Sequence, residues 1–232
     1  MNYAGMRPVS MADVDARVSF IRKTYGHLLG AVMAFIAISF VIMQMPFTEA
    51  LVVWLFSQGS WAWLVVLGLF SLVGFAADRF AHSSTSKPMQ YAGLGLYVFA
   101  ESVIFTPMFY IAQQFEGALA AAGFITAVVF AALTVSVFIT KQDFSFLRTG
   151  LVAGSFLSIG VIIAGTVFGF SLGLWFSALM VLLASGSILY YTSRVMNDYH
   201  PDQYVAASLS LFSAVALLFW YVLRIVMSLS SD

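Results

Sequence analysis

The chain has 232 residues, of which 62% are hydrophobic and only 9% charged, with a mean hydropathy of +0.97. A soluble domain is about 45–50% apolar and about 25% charged, and a compact fold of this size could not hide so much apolar surface behind a wettable exterior. Soluble enzymes and disordered chains are thereby excluded. So is nucleic-acid binding, because ten Lys plus Arg balance ten Asp plus Glu. The absence of cysteine removes disulfides, a thiol nucleophile and thiolate metal sites.

Residues 1–23 form a polar tail carrying Arg7, Arg17, Arg22 and Lys23. No short apolar stretch with a small-residue cleavage site precedes it, so no cleavable signal peptide is expected. From there on the chain reads as one membrane domain, residues 24–229. A hydrocarbon core of about 30 Å needs about 20 residues of helix. Stretches of that length predict spans at 24–45, 61–80, 89–112 and 117–140. Between the first two, residues 50–56 are apolar but too short to cross, and read as an interfacial segment leading to Trp61 and Trp63.

The run from Thr149 to Ser193 is charge-free. As one helix it would measure about 68 Å, roughly twice a bilayer, so it must turn once. Residues 169–173, bounded by Gly169 and Gly173, concentrate helix-weakening residues and mark the turn. Spans at 146–168 and 172–193 follow, and a last one at 203–229 with Arg224 near its end. The total is seven. A β-barrel would show segments of about 10 residues alternating apolar and polar, a pattern absent here. The fold class is an all-α integral membrane bundle.

Basic residues orient the bundle. The tail, the 2–3 loop (Arg79, Lys87), the 4–5 loop (Lys141, Arg148) and the 6–7 loop (Arg194) hold nine of the ten, while the opposite loops hold none. Arg224 lies within a span end, where it can snorkel. The N-terminus is expected in the cytoplasm and the C-terminus outside, in a bacterial inner membrane.

Small residues recur at four-residue spacing at Gly26/Gly30 and Gly150/Gly154. Such spacing lets helix backbones approach closely in lipid. The span at 146–168 adds Ser155, Ser158 and Gly160, and is expected to be central or near-central in the bundle.

Among polar groups, Glu101 is the sharpest feature. It is residue thirteen of the 24-residue third span, near the midplane, where a carboxylate is costly and marks a cavity, a partner or an ion path. It reads either as a protonatable ion or proton site or as a protonated acid hydrogen-bonded to a neighbouring helix. Pro107, six residues on, removes one backbone donor. His27 reads as an interfacial hydrogen-bonder. Asp78 and Arg79 at the end of the second span read as an interfacial salt bridge or a cytoplasmic gate. Asp198, His200 and Asp202 read as a solvated turn around Pro201, with Asp202 capping the last helix, or as a carboxylate funnel for cations. The three histidines are not at ligand spacing, so no metal site is expected.

Enzyme classes fail on residue types. A retinal pump needs a lysine in its last span, but Lys23, Lys87 and Lys141 all lie in loops or the tail. An intramembrane serine protease needs histidine inside the bundle, and none follows His27 in any span. An aspartyl protease needs two deep aspartates, and no span holds one. No zincin motif or P-loop occurs, and no cofactor is implied.

Two stretches carry a resemblance. Residues 91–112, YAGLGLYVFAESVIFTPMFYIA, and residues 188–224, ILYYTSRVMNDYHPDQYVAASLSLFSAVALLFWYVLR, resemble the third-helix region and the signature end of the Bax inhibitor-1 family. The resemblance implies a seven-helix bundle with the last helix surrounded by the others, calcium leak across membranes, pH sensing and, in eukaryotes, suppression of cell death. It attributes the calcium and pH behaviour to paired aspartates on the sixth and seventh helices and an arginine near the second, matched here by Arg79. The chain departs at the aspartates: the two positions are Tyr191 and Ala214. Glu101 matches a position where many members carry an acid.

The resulting expectation is a calcium-leak or pH-responsive ion pathway with Glu101 as its intramembrane carboxylate, interacting with the lipid bilayer and with calcium or protons. The alternative, favoured by the two missing aspartates, is a non-transporting regulator or scaffold that binds other membrane proteins.

Overall fold

The computed structural model describes residues 8–83 and 86–230; Arg7 and Asp232 lie outside the described residues. The described chain is all-helical. Helix α1 covers Val14–Gln44, α2 Thr48–Ser57, α3 Ser60–Ala81, α4 Lys87–Ala112, α5 Ala118–Thr140, α6 Leu147–Phe168, α7 Gly173–Asn197 and α8 Tyr204–Leu229. All but α2 are long and apolar enough to span a bilayer, which makes seven spans. Short 3-10 turns at Val9–Met11 and Pro201–Gln203 flank the bundle.

Helix α1 begins ten residues before the expected first span. The tail is amphipathic enough to join it: Phe20 and Thr24 are buried, while Arg22 and Lys23 are exposed and Arg17 is half-buried. The bilayer sets the minimum length of a helix, not its maximum, so polar turns extend beyond the span. The short apolar stretch forms α2, ten residues long and too short to cross. The expected turn at residues 169–173 is present: Gly169 ends α6 in the left-handed conformation (φ 74°), and Gly173, also at positive φ (60°), opens α7.

The loops at the end where α1 begins are tied together. The Val9 amide donates to the Tyr199 carbonyl at 2.9 Å, Lys87 Nζ donates to the Asp202 carbonyl at 2.6 Å, and the Phe144 amide donates to Ser193 Oγ at 3.1 Å. Arg17, Arg22, Lys23, Arg79, Lys87, Lys141, Arg148 and Arg194 all lie at or near this basic end.

Helix α8 is the central helix, packed by α1, α3, α4, α5 and α7. Small residues on every side of its first half, including Ala206, Ala207, Ser208, Ser210 and Ala214, are all buried, as are Leu211, Leu218 and Leu223 further along. The expected central position of α6 is not observed. Among its described residues only Ser158 and Gly165 are buried, and its main neighbours are α7 and α3. A Cβ at Gly150 or Gly160 would meet nothing within 4 Å, so these glycines face outward rather than into a helix contact.

Helices α3 and α4 approach closely, and Gly93 explains how. A Cβ there would stand 2.5 Å from the Ala77 carbonyl oxygen and 2.6 Å from the Ala81 amide nitrogen, so only a glycine admits the α3 backbone. Helix α4 starts with Ser86 Oγ accepting from the Met89 amide and runs unbroken through Pro107. The side chains of Ser102 and Thr106 donate to the Val98 and Ser102 carbonyls within this stretch (both 2.9 Å).

Candidate functional site

A cavity of about 750 Å³ lies between α3 and α4 on one side and α6, α7 and α8 on the other. It is lined near the basic end by Asp78 and Tyr191, at mid-depth by Tyr97, Glu101, Ser213 and Ala214, and towards the opposite end by Trp63, Tyr221 and Arg224. Asp78 and Trp63 are fifteen residues apart on α3, a rise of about 22 Å and most of a hydrocarbon core. Hydroxyls from Ser155, Ser158 and Ser187 line the α6–α7 wall.

Glu101 is only 6% exposed. It stands one helical turn from Tyr97 on the same face of α4, and the Tyr97 hydroxyl is its hydrogen-bonding neighbour. Tyr97 in turn reaches Ser213 on α8. A polar line from Glu101 through Tyr97 to Ser213 therefore crosses from α4 to the central helix. Neither Tyr97 nor Ser213 is among the polar groups that stand out in the sequence. A signal existed for Tyr97, four residues before a buried acid; Ser213 could be found only from the packing of α8.

Asp78 sits at the basic mouth of the cavity, half-exposed. It does not pair with Arg79. Adjacent helical residues point about 100° apart, whereas residues four apart share a face. Asp78 Oδ1 accordingly meets His82 Nδ1 at 3.2 Å, and the same nitrogen lies 2.9 Å from the Asp78 carbonyl. The hydrogen bond to Asp78, reinforced by its charge, raises the His82 pKa against the opposing effect of burial. Arg79 is exposed on α3 and is not part of the cavity wall.

Tyr191 and Ala214, standing where the family resemblance places aspartates, both line the cavity. The cavity thus takes its acids from α3 and α4 rather than from α7 and α8. Asp78 lines the same cavity as Tyr191, whose own helix supplies it no carboxylate.

The turn between α7 and α8, residues 198–203, is outside the cavity. Asp198 pairs with Arg194 (Oδ2 to Nε, 3.4 Å), and Arg194 lies over the Tyr199 ring, 4.6 Å from its centroid. Burial pushes the Tyr199 hydroxyl above its usual range, opposed by the Arg194 charge and by the bond to Ser210 Oγ at 3.1 Å. Asp202 does not cap α8. The turn is closed instead by His200 and Gln203: the Asp202 amide donates to His200 Nδ1 at 3.2 Å and the His200 amide donates to Gln203 Oε1 at 2.9 Å. Pro201 begins a 3-10 turn, which moves the capping role one residue ahead of it. The Asp202 side chain stands beside His200 instead (3.7 Å). With Asp198 and Asp202 each beside a basic group, the two form no joint carboxylate cluster. Among the described residues, no group of three or more His, Asp and Glu is placed to hold a metal ion.

Comparison with known proteins covers nearly the whole chain. The chain is 27% identical to the Golgi anti-apoptotic protein of Vaccinia virus over 227 residues, spanning 94% of this chain and 88% of the viral one. It is 29% identical to an uncharacterized protein of Pseudomonas aeruginosa over 210 residues (88% and 87%). It is 28% identical to mouse protein lifeguard 4 over 232 residues (93% and 87%). The family described as "Inhibitor of apoptosis-promoting Bax1" matches residues 17–231, and with seven spans around a central last helix the chain belongs to this Bax inhibitor-1 family.

Proposed function

We propose that the protein provides a pathway for calcium or protons through the cavity between α3, α4, α6, α7 and α8, with Glu101 as its mid-membrane carboxylate and Asp78 at its basic mouth. The observation that carries this reading is the cavity itself: one continuous space holds both acids and reaches through most of the bundle's thickness. Buried acids in a membrane bundle that face a cavity are the usual mark of ion or proton paths. The Tyr97 and Ser213 hydroxyls give a cation or a proton further oxygen partners beside Glu101. The concentration of Lys and Arg at one end orients that end, with the N-terminus, to the cytoplasm of a bacterial inner membrane.

The test is flux through the purified chain in liposomes loaded with a calcium or pH dye. Calcium or proton entry is expected, and Glu101→Gln should lower it at least tenfold while the purified variant stays monodisperse. No flux, or flux unchanged by Glu101→Gln across the pH range, overturns the reading.

One observation favours a second reading. Tyr191 and Ala214 remove both carboxylates expected from the resemblance, and the viral relative's name describes an anti-apoptotic protein rather than a transporter. On this reading the bundle is a regulator that binds other membrane proteins. A stoichiometric partner recovered by cross-linking from native membrane, together with no flux, supports it.

A further inference from the structure

A second cavity, of about 710 Å³, lies on the other side of α4, between α4 and α1. It is open to the side. Gly26 and Gly30 on α1 and Gly95 on α4 are exposed, and a Cβ at any of them would meet nothing within 4 Å. Away from the basic end its wall is apolar, with Ala34, Ile38 and Val98. At the basic end it is cationic, lined by Arg22 and Lys23. From Arg22 to Ile38 the helix rises about 24 Å, the depth of roughly one leaflet with its headgroup layer.

The cationic end is a built cluster. His27 Nδ1 faces the Lys23 carbonyl at 2.7 Å, so it carries the hydrogen. In the neutral ring Nε2 then accepts from the Tyr91 hydroxyl at 3.1 Å, and Tyr91 accepts from Tyr204 at 3.2 Å. Lys23 Nζ and Lys87 Nζ stand 5.4 and 4.4 Å from the Tyr204 ring centroid. The charged and titratable groups facing this point come from three elements: Arg22, Lys23 and His27 on α1, Lys87 and Tyr91 on α4, Asp202 and Tyr204 at the start of α8. Lys87 is engaged with the Asp202 carbonyl. Among the described residues no carboxylate lies within ion-pair distance of Arg22 or Lys23.

An open apolar groove one leaflet deep, ending in two cations without a carboxylate partner, is complementary to one kind of molecule. We propose that the α1–α4 groove is a binding site for an anionic glycerophospholipid, its phosphate on Arg22 and Lys23 and one acyl chain along Gly26, Gly30 and Gly95. Tyr91, His27 and Tyr204 form the amphipathic collar at the headgroup level, where such side chains are at home. A zwitterionic lipid fits the groove equally but brings its own cation to Arg22 and Lys23. The charge is therefore what selects the anionic class.

The test uses the purified full chain with defined lipids, read by native mass spectrometry and by melting temperature. Phosphatidylglycerol should remain bound through detergent exchange where phosphatidylcholine is lost, and should raise the melting temperature. Arg22→Gln with Lys23→Gln should abolish that preference, by roughly fivefold for each cation removed, leaving the melting temperature in phosphatidylcholine unchanged. Gly30→Leu, which enters open space and improves helix propensity, should weaken retention of phosphatidylglycerol while keeping both cations. Should the double variant lower the melting temperature in phosphatidylcholine, Gly30→Leu alone decides. Soluble glycerophosphoglycerol and inorganic phosphate should not compete at equal concentration, since neither fills the groove. Equal retention of the two lipids by the unaltered chain, preference surviving in the double variant, retention of phosphatidylglycerol unchanged by Gly30→Leu, or competition by the headgroup alone would overturn the proposal.

Discussion

Helices α6 and α8 are both long, apolar and rich in small residues, and they occupy opposite environments. Fourteen residues of α8 are buried, while only Ser158 and Gly165 are buried among the described residues of α6. In water the more apolar helix would go inside. In lipid there is no such drive, because the bilayer is as apolar as a core, and position is set by where close contact is available. Helix α8 has small residues all round its first half, so neighbours approach from every direction. In α6 they are used on one side only: Gly154 lies against Leu183 and Gly165 against Leu172, while Gly150 and Gly160 look outward. A count of small residues does not distinguish the two; their distribution around the helix does.

The strongest way to break this comparison is a matched truncation. Leu218 on α8 is fully buried, and Leu218→Ala should cost about 2–5 kcal/mol, the sum of lost contacts and the cavity left behind. Leu157 on α6 is 69% exposed, and Leu157→Ala should stay within about 0.5 kcal/mol. Melting of the purified variants checks both; equal losses would mean that α6 is packed in the folded protein after all.

A second pair probes small residues directly. Gly93→Ala forces a methyl group into the α3 backbone and should destabilise by about 1–3 kcal/mol. Gly160→Ala meets open space inside a helix and should stabilise by about 0.5–1 kcal/mol. A Gly93→Ala variant that melts like the unaltered protein would contradict the close approach of α3 and α4.

The smallest effect is electrostatic and lies at the rim. The folded-state pKa of His82 is raised by Asp78. The stabilisation from this pair is therefore complete below the usual imidazole pKa of about 6.5 and is lost as pH rises through the raised folded value. His82→Gln should lower the melting temperature modestly at pH 5.5 and hardly at all at pH 9. A difference that stays constant, or grows with pH, would contradict the pairing. Because Asp78 lines the mouth of the main cavity, the same titration changes the charge there.

Much of the site was legible in the sequence. Glu101 stands out because an acid in the middle of a span breaks an otherwise unbroken apolar run, and that depends only on distance along the helix. The partners of Asp78, Asp198 and Asp202 were less legible. Asp78 takes His82 rather than Arg79, and Asp202 yields the cap to His200 and Gln203, because side-chain direction and turn type decide between neighbours that composition treats alike. Tyr97 and Ser213 join the site through the contact of α4 with α8, which no single span records.

The sequence by itself determined that the chain crosses a bilayer seven times, where it turns, and that its cations gather at one end. Each of these follows from hydrocarbon thickness and the cost of charge in it, quantities read one segment at a time. Only the tertiary structure decided that α8 is central and α6 peripheral, that two grooves flank α4, and that Asp78 and Glu101 share one of them. Those outcomes depend on which faces of different helices meet, and in lipid that is decided by the fit of small residues rather than by hydropathy.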